Sequence, residues 1–215
     1  MDLLRFGPIN EINPFNYHIF PSDLYHTVEY KDWDGFCNIL SPTNHVRSLM
    51  DKKFIFIPIC RNEHWIMTVL VNCRCVMGYN NQLSFILVLD SLSNGTKNRK
   101  ELHHNLLLFL NSASEDVNKT EPFTEENVPL YEPKMPQQQN SIDCGLFMCQ
   151  FLKHMMNLLD YDFTPVDISS NFENVLNFTV DQDEVTEFRW ELILLIHSLG
   201  DAYKRMVTPS LKTPK

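Results

Sequence analysis

Three apolar runs follow one another between Lys53 and Leu92, and they leave this chain few ways to fold. "KFIFIPI", "HWIMTVLV" and "LSFILVLDSL" are rich in β-branched and aromatic residues and show no helical period. Runs without polar alternation are what strands need when both faces of their sheet are covered. "NCRCVMGYNNQ", between the second and third runs, holds the Gly and Asn-Asn of a hairpin connection. The centre of the chain predicts a buried sheet.

The flanks supply the covering layers. Residues 1–53 read as short helices and connectors, with aromatic patches broken by Pro and Asn. After the turn "SNGTKN", Leu102, Leu106, Phe109 and Leu110 fall on one face of a helix. The polar stretch "NSASEDVNKTEPFTEENVP" is a loop, and "VPLYEP", bracketed by prolines, is a short edge strand. The clearest helix follows: Phe147, Met148, Phe151, Leu152, Met155, Met156 and Leu159 recur at i, i+3, i+4 and i+7. A last helix runs through "DEVTEFRWELILLIHSLGDAYKR", and residues 207–215 form a loose tail. Strands first and the main helices after them make an α+β fold in a single domain, 1–215.

Composition narrows the function. The formal net charge is −9 and no long Lys/Arg run is present, which argues against a nucleic-acid surface or a polybasic membrane patch. No apolar run approaches the roughly 18 residues of a membrane span, and "MDLLRFGPINEINPF" is not a secretory signal. Without such a signal, the sequons at Asn94, Asn118 and Asn177 read as chance matches. The six cysteines are irregularly spaced for a disulfide framework, so reduced thiols in the nucleus or cytoplasm are expected. Cys73-x-Cys75 is one short pair without a second, and neither a metal nor a cofactor is expected.

One cysteine stands apart. In "PQQQNSIDCGLFMCQFLKHMM", Cys144 sits where a polar loop turns into the clearest helix, with Ser141 and Asp143 as candidate N-caps. Simple core packing is the bland explanation of a small apolar residue there. The other is reactivity, because a helix start and a nearby imidazolium favour a thiolate over a thiol. Gly145 would let a substrate backbone come close.

A nucleophilic cysteine needs a base. His18, His26, His45, His103, His104, His154 and His197 have bland readings, most within helical or irregular patterns. His64 opens a strand just past a loop, and Asp90 closes the next strand after five apolar residues. If those strands pair, imidazole and carboxylate meet at one sheet end, as a catalytic triad requires. Capping of the following turn is the bland alternative for Asp90. The backbone N–H of Cys144 and an amide from Gln137, Gln138 or Gln139 are candidate oxyanion donors, and the residues alone do not choose among the three.

"HW" opening a strand, "LDS" closing the next and "PQQQNSIDCG" before a helix resemble the catalytic domain of the SUMO/sentrin-specific, ubiquitin-like-protein proteases. The resemblance runs from about residue 15 to the end and is strongest from Phe54 to Phe151. It implies a papain-like α+β fold, with a central mixed sheet and flanking helices. It also implies catalytic His64, Asp90 and Cys144, with Gln138 as the oxyanion glutamine. Trp65 matches the tryptophan that roofs the tunnel for the modifier's Gly-Gly tail. The implied activity is cleavage after that tail, in deSUMOylation or precursor processing. The implied partners are a SUMO-like modifier and its conjugates, met by a monomer, with no nucleic acid and no membrane.

The extra residues between His64 and Asp90 are similar to the branch that trims poly-SUMO chains. The family's W-L-x-D-like segment has no counterpart before "FNYHIF", and Trp33 falls in the wrong place to replace it. A truncated pseudo-protease that grips a ubiquitin-like modifier without cleaving it is thus the alternative. Acyl transfer by the same His–acid–Cys set is a third reading, which Trp65 and "PQQQNSIDCG" disfavour.

Overall fold

The computed structural model describes residues 16–32, 49–74, 83–92, 99–114, 121–163 and 172–207. Trp33, Cys37, His45, Cys75 and residues 208–215 lie outside that set, as does most of the expected hairpin connection.

The three apolar runs become β2 (Phe54–Arg61), β3 (His64–Val71) and β4 (Phe85–Leu89). They pair antiparallel, with Phe54 opposite Val71 and Met67 opposite Leu89. β1 (Tyr17–Ile19) adds parallel to β2, and β5 (Leu130–Tyr131) adds parallel to β4. The result is one mixed five-stranded sheet in the order β1-β2-β3-β4-β5. "VPLYEP" is an edge strand, as its prolines predict. β1 corrects the reading of residues 1–53 as helices and connectors only; of the expected helices, α1 (Leu24–Glu29) is present. Pro58 lies in β2 beyond the three residues paired with β1, so its missing N–H breaks none of those pairings.

Both faces of the sheet are covered, which is why its strands lack polar alternation. Ile55, Ile57, Leu70 and Val88 face a cluster closed by α1 and α2 (Arg99–Ala113). Leu102, Leu106, Phe109 and Leu110 line α2's buried side as their spacing predicts. On the opposite face, Phe54, Phe56, Val69 and Leu87 meet Phe147, Phe151 and Met155 of α3 (Cys144–Met156). Phe163 packs against Phe54 and Phe85 in that layer, tilted on the first and edge-on to the second. Each such buried ring contributes about 1.5–3 kcal/mol of transfer free energy. α3 therefore cannot tilt without opening a core, and its first residue is held rigidly over the sheet.

Among the described residues two helices follow, α4 (Phe172–Leu176) and α5 (Gln182–Val207). α5 anchors through buried Val185 and Phe188. It reaches one residue into the expected tail, the rest of which is outside the described residues.

Candidate active site

The turn between β2 and β3 is as short as a hairpin allows. Arg61 pairs with His64, leaving Asn62 and Glu63 as its two loop residues, at φ 51° and 61°. Positive φ at both positions is the geometry that follows the twist of a tight hairpin. Asn tolerates it, whereas Glu does so at a cost in local strain. The turn makes His64 the first residue of a buried strand, so its backbone is fixed while its side chain stays 18 % exposed.

The imidazole is oriented by Asp90. His64 Nε2 lies 2.7 Å from Asp90 Oδ1, and the carboxylate is 1 % exposed. The Leu92 N–H also donates to Oδ1, at 2.9 Å. Asp90 thus takes both roles the sequence left open, partner of the histidine and acceptor for the following turn. With Nε2 engaged, Nδ1 is the ring nitrogen left for a second group.

Cys144 opens α3 as expected, and its Sγ is 4.0 Å from the carbonyl oxygen of Glu63, the residue before His64. The sheet end and the helix start are thereby brought together. Trp65 overlies the first turn: a Cβ placed on Gly145 would sit 3.6 Å from Trp65 Cδ1. Asp143 is the N-cap residue by position, yet its side chain makes no cap bond, and Ser141 is exposed. Instead, Asp143 Oδ2 accepts from Asn140 Nδ2 at 2.7 Å and Gln182 Nε2 at 2.6 Å, and Oδ1 pairs with Arg189. The carboxylate ties the loop before Cys144 to α5 rather than capping α3.

The three glutamines separate by burial. Gln139 is exposed, and the exposed Gln137 amide donates to the carbonyls of Met135 and Asp90. Gln138 alone is buried, at 8 % exposure. Its N–H donates to Ser91 O at 2.9 Å, its Oε1 accepts from Ser91 Oγ at 2.7 Å, and its Nε2 donates to Asn140 O. An amide nitrogen carries two hydrogens, so one donor remains beyond the Asn140 bond.

Cys60, Cys73, Cys144 and Cys149 are free thiols. Burial pushes the Cys149 thiol up. Cys60 is also pushed up, by desolvation first and then by the neighbouring Cys144 and Glu63 charges. His103 and His154 are spent on the carbonyls of Val128 and Leu176. Among the described residues no cluster of three metal-ligating side chains occurs.

This geometry has relatives. The model of the Ulp1 protease family, C-terminal catalytic domain, matches residues 5–187. The chain belongs to the Ulp1 protease family. Ubiquitin-like-specific protease 2 of Schizosaccharomyces pombe is 25% identical over 230 residues, covering 85% of this chain and 33% of the relative. Ubiquitin-like-specific protease 1D of Arabidopsis thaliana is 31% identical over 121 residues, covering 50% of this chain and 20% of the relative. The chain thus spans a third or less of the length of these two relatives.

Among solved structures, a de-sumoylating protease superposes with a TM-score of 0.65 at 18% identity, over 91% of this chain and 75% of that one. The SUMO protease Ulp1 with its catalytic cysteine oxidized to a sulfenic acid gives 0.50 at 23%, over 69% and 62%. These likenesses carry the fold: the α+β architecture with a mixed sheet and flanking helices is that of the family.

In this Ulp1-family chain His64, Trp65, Asp90, Gln138 and Cys144 converge at one end of the sheet. Sequence reasoning missed Ser91, Asn140, Arg99 and Gln182, which hold them. Ser91 and Asn140 lie inside the quoted motifs and were available to it. Arg99, nine residues past Asp90, and Gln182, 39 residues past Asp143, both stand at helix starts and left no signal in the motifs themselves.

Proposed function

We propose that this domain is a thiol hydrolase that cleaves after the C-terminal glycine of a SUMO-like modifier, with Cys144 as nucleophile, His64 as general acid and base, and Asp90 as its orienting carboxylate. One observation carries the reading: the Cys144 sulfur rests against the turn that delivers His64, while His64 is already bonded to Asp90.

The chemistry follows from that arrangement. The first-turn N–H groups of α3 favour an anion at Cys144. The thiolate attacks the carbonyl carbon of the modifier's last glycine, and the carbonyl oxygen becomes an oxyanion. The Cys144 N–H and the second Gln138 Nε2 hydrogen are its donors. Imidazolium His64 gives its proton to the leaving lysine amine as the C–N bond breaks, leaving a thioester. His64, now neutral, takes a proton from water. The hydroxide displaces the sulfur and releases the modifier's carboxylate. Trp65 lies over the Gly145 turn, within van der Waals reach of a Cβ placed there, and supplies an aromatic wall against which a glycine tail can be laid. Free thiols fit work in the reducing nucleus or cytoplasm.

The test uses modifier probes bearing a C-terminal thiol-reactive warhead, with SUMO forms and ubiquitin in parallel. A covalent adduct with a SUMO probe, absent in Cys144→Ala and retained in Cys149→Ser, is the expected result. An adduct that survives Cys144→Ala overturns the assignment. Tight binding of the modifier without any adduct replaces hydrolysis with a purely binding role.

A further inference from the structure

The charge network around Asp90 does not end at His64. Arg99, the first residue of α2, donates from Nη2 to Asp90 Oδ2 at 2.7 Å, on the oxygen opposite the one His64 uses. Its guanidinium also forks onto Glu132, just past β5, with Nε 3.1 Å from Oε2 and Nη2 on Oε1. Four groups therefore alternate in charge: Glu132, Arg99, Asp90 and the imidazolium of His64. Arg99 is 17 % exposed and Asp90 only 1 %, so that pair acts through little solvent, whereas Glu132, at 38 %, is screened more.

We infer that Arg99 and Glu132 are positioning residues that set the strength of the Asp90–His64 pair from opposite directions. This rests on the catalytic reading of His64, Asp90 and Cys144. A carboxylate this buried is costly to keep ionised when the imidazole is neutral, as it must be while the thioester is hydrolysed. Arg99 holds it ionised throughout and fixes its plane. The same positive charge competes with the imidazolium for Asp90. Glu132 draws that charge away, leaving Asp90 free to support His64. Burial works against the Arg99 charge, and the bonds to Glu132 and Asp90 more than offset it, so the guanidinium sits above its ordinary value.

Other charged and titratable groups lie near His64. Glu63 is beside it in the turn, Cys144 and Cys60 neighbour that turn, and Arg61 is paired across the hairpin with Glu29 and Glu101 as its partners. The variants below alter none of them.

The experiment is the pH dependence of Cys144 alkylation by iodoacetamide, read by mass spectrometry, in the unaltered chain, Arg99→Met, Arg99→Lys and Glu132→Gln. Alkylation follows the thiolate–imidazolium pair without requiring turnover. Removing Arg99 leaves His64 more of Asp90, so the pH at which the imidazolium is lost moves up. Removing the Glu132 charge leaves Arg99 stronger, so it moves down. Each displacement is expected to be about half to one pH unit, a three- to tenfold change in the pair's equilibrium. Arg99→Lys keeps the charge but cannot fork onto both carboxylates, so it restores the position of the limb with a lower plateau.

Opposite displacements support the inference. Displacements of one sign, or a uniform loss with no displacement, overturn it and leave Arg99 a structural ion pair. Should Arg99→Met not fold, Glu132→Gln and Arg99→Lys carry the test, since one alters the field and the other keeps it. If the unaltered chain forms no probe adduct, it is the hydrolase reading that fails; an adduct with an undisplaced profile in the variants fails this inference alone.

Discussion

Ser91 grips Gln138 at two points: its carbonyl accepts the Gln138 N–H at 2.9 Å, and its hydroxyl donates to Gln138 Oε1 at 2.7 Å. The second bond decides which way the amide faces, because a hydroxyl donor on one side commits that side to oxygen and turns the NH₂ away. Gln138→Ala is therefore expected to lower kcat by about 10²–10³-fold with little change in KM, as for an oxyanion donor. Ser91→Ala leaves the amide in place but free to flip, and an intermediate loss of about tenfold is expected. Steady-state kinetics on a modifier–fluorophore fusion separates the two. A change in KM alone would make Gln138 a binding residue.

Gln182 clamps the same loop from outside. Its Nε2 donates to Asp143 Oδ2 and its Oε1 accepts from the N–H of Gln139, so one side chain of α5 spans both ends of the segment between Gln138 and Cys144. Gln182→Ala leaves buried Asp143 with fewer donors, which costs about 1–3 kcal/mol of stability. It also loosens the oxyanion loop, so kcat is expected to fall by about tenfold beyond any loss of folded protein. Thermal unfolding and active-site titration with a probe measure the two effects independently. Loss of stability with unchanged kcat would confine Gln182 to a structural role.

The sheet was legible because burial on both faces writes itself into sequence as continuous apolar runs. α3 was legible from its period. β1 was not: three residues in a parallel pairing with β2 leave no local pattern, since the partner that defines them is remote in the chain. Asp143 marked the helix start correctly, but its side chain's partners were not legible, for a related reason. Its residue type and place say N-cap, but Arg189 and Gln182, visible only in the fold, draw its carboxylate elsewhere. Spacing put His64 and Asp90 on pairing strands, but a choice among three adjacent glutamines needed either the family motif or the burial that the Ser91 contact creates.

Gly145 tests whether space over α3 serves the substrate. An added Cβ would lie 3.6 Å and 3.9 Å from Trp65 Cδ1 and Cγ, which is ordinary contact. Packing within the protein therefore does not demand glycine. Gly145→Ala is expected to fold with stability unchanged or raised by about 0.5–1 kcal/mol from helix propensity. Its methyl would fill the space below Trp65 and meet any glycine tail laid against that wall, so kcat/KM for a modifier ending in Gly-Gly is expected to fall at least tenfold. Alkylation of Cys144 by a small reagent should be unaffected. Equal loss in both assays would mean that the helix start itself had been disturbed.

His18 links the edge of the sheet to pH. It sits on β1, its ring 4.4 Å from that of Phe20, and burial, with the nearby Lys52 charge second, lowers its pKa from 6.5. A histidine depressed in the native state binds its proton more readily when unfolded. Stability therefore rises with pH through the window between the native value and 6.5, and is lost as pH falls through it. Above 6.5 both states are neutral at this site and it contributes no slope. Below the native value both are protonated and the loss levels off. His18→Gln removes the titration, so urea unfolding of this variant and the unaltered chain should differ by a gap that changes in the variant's favour as pH drops below 6.5. A gap constant from pH 5 to 8 would show that protonation of His18 costs the fold nothing.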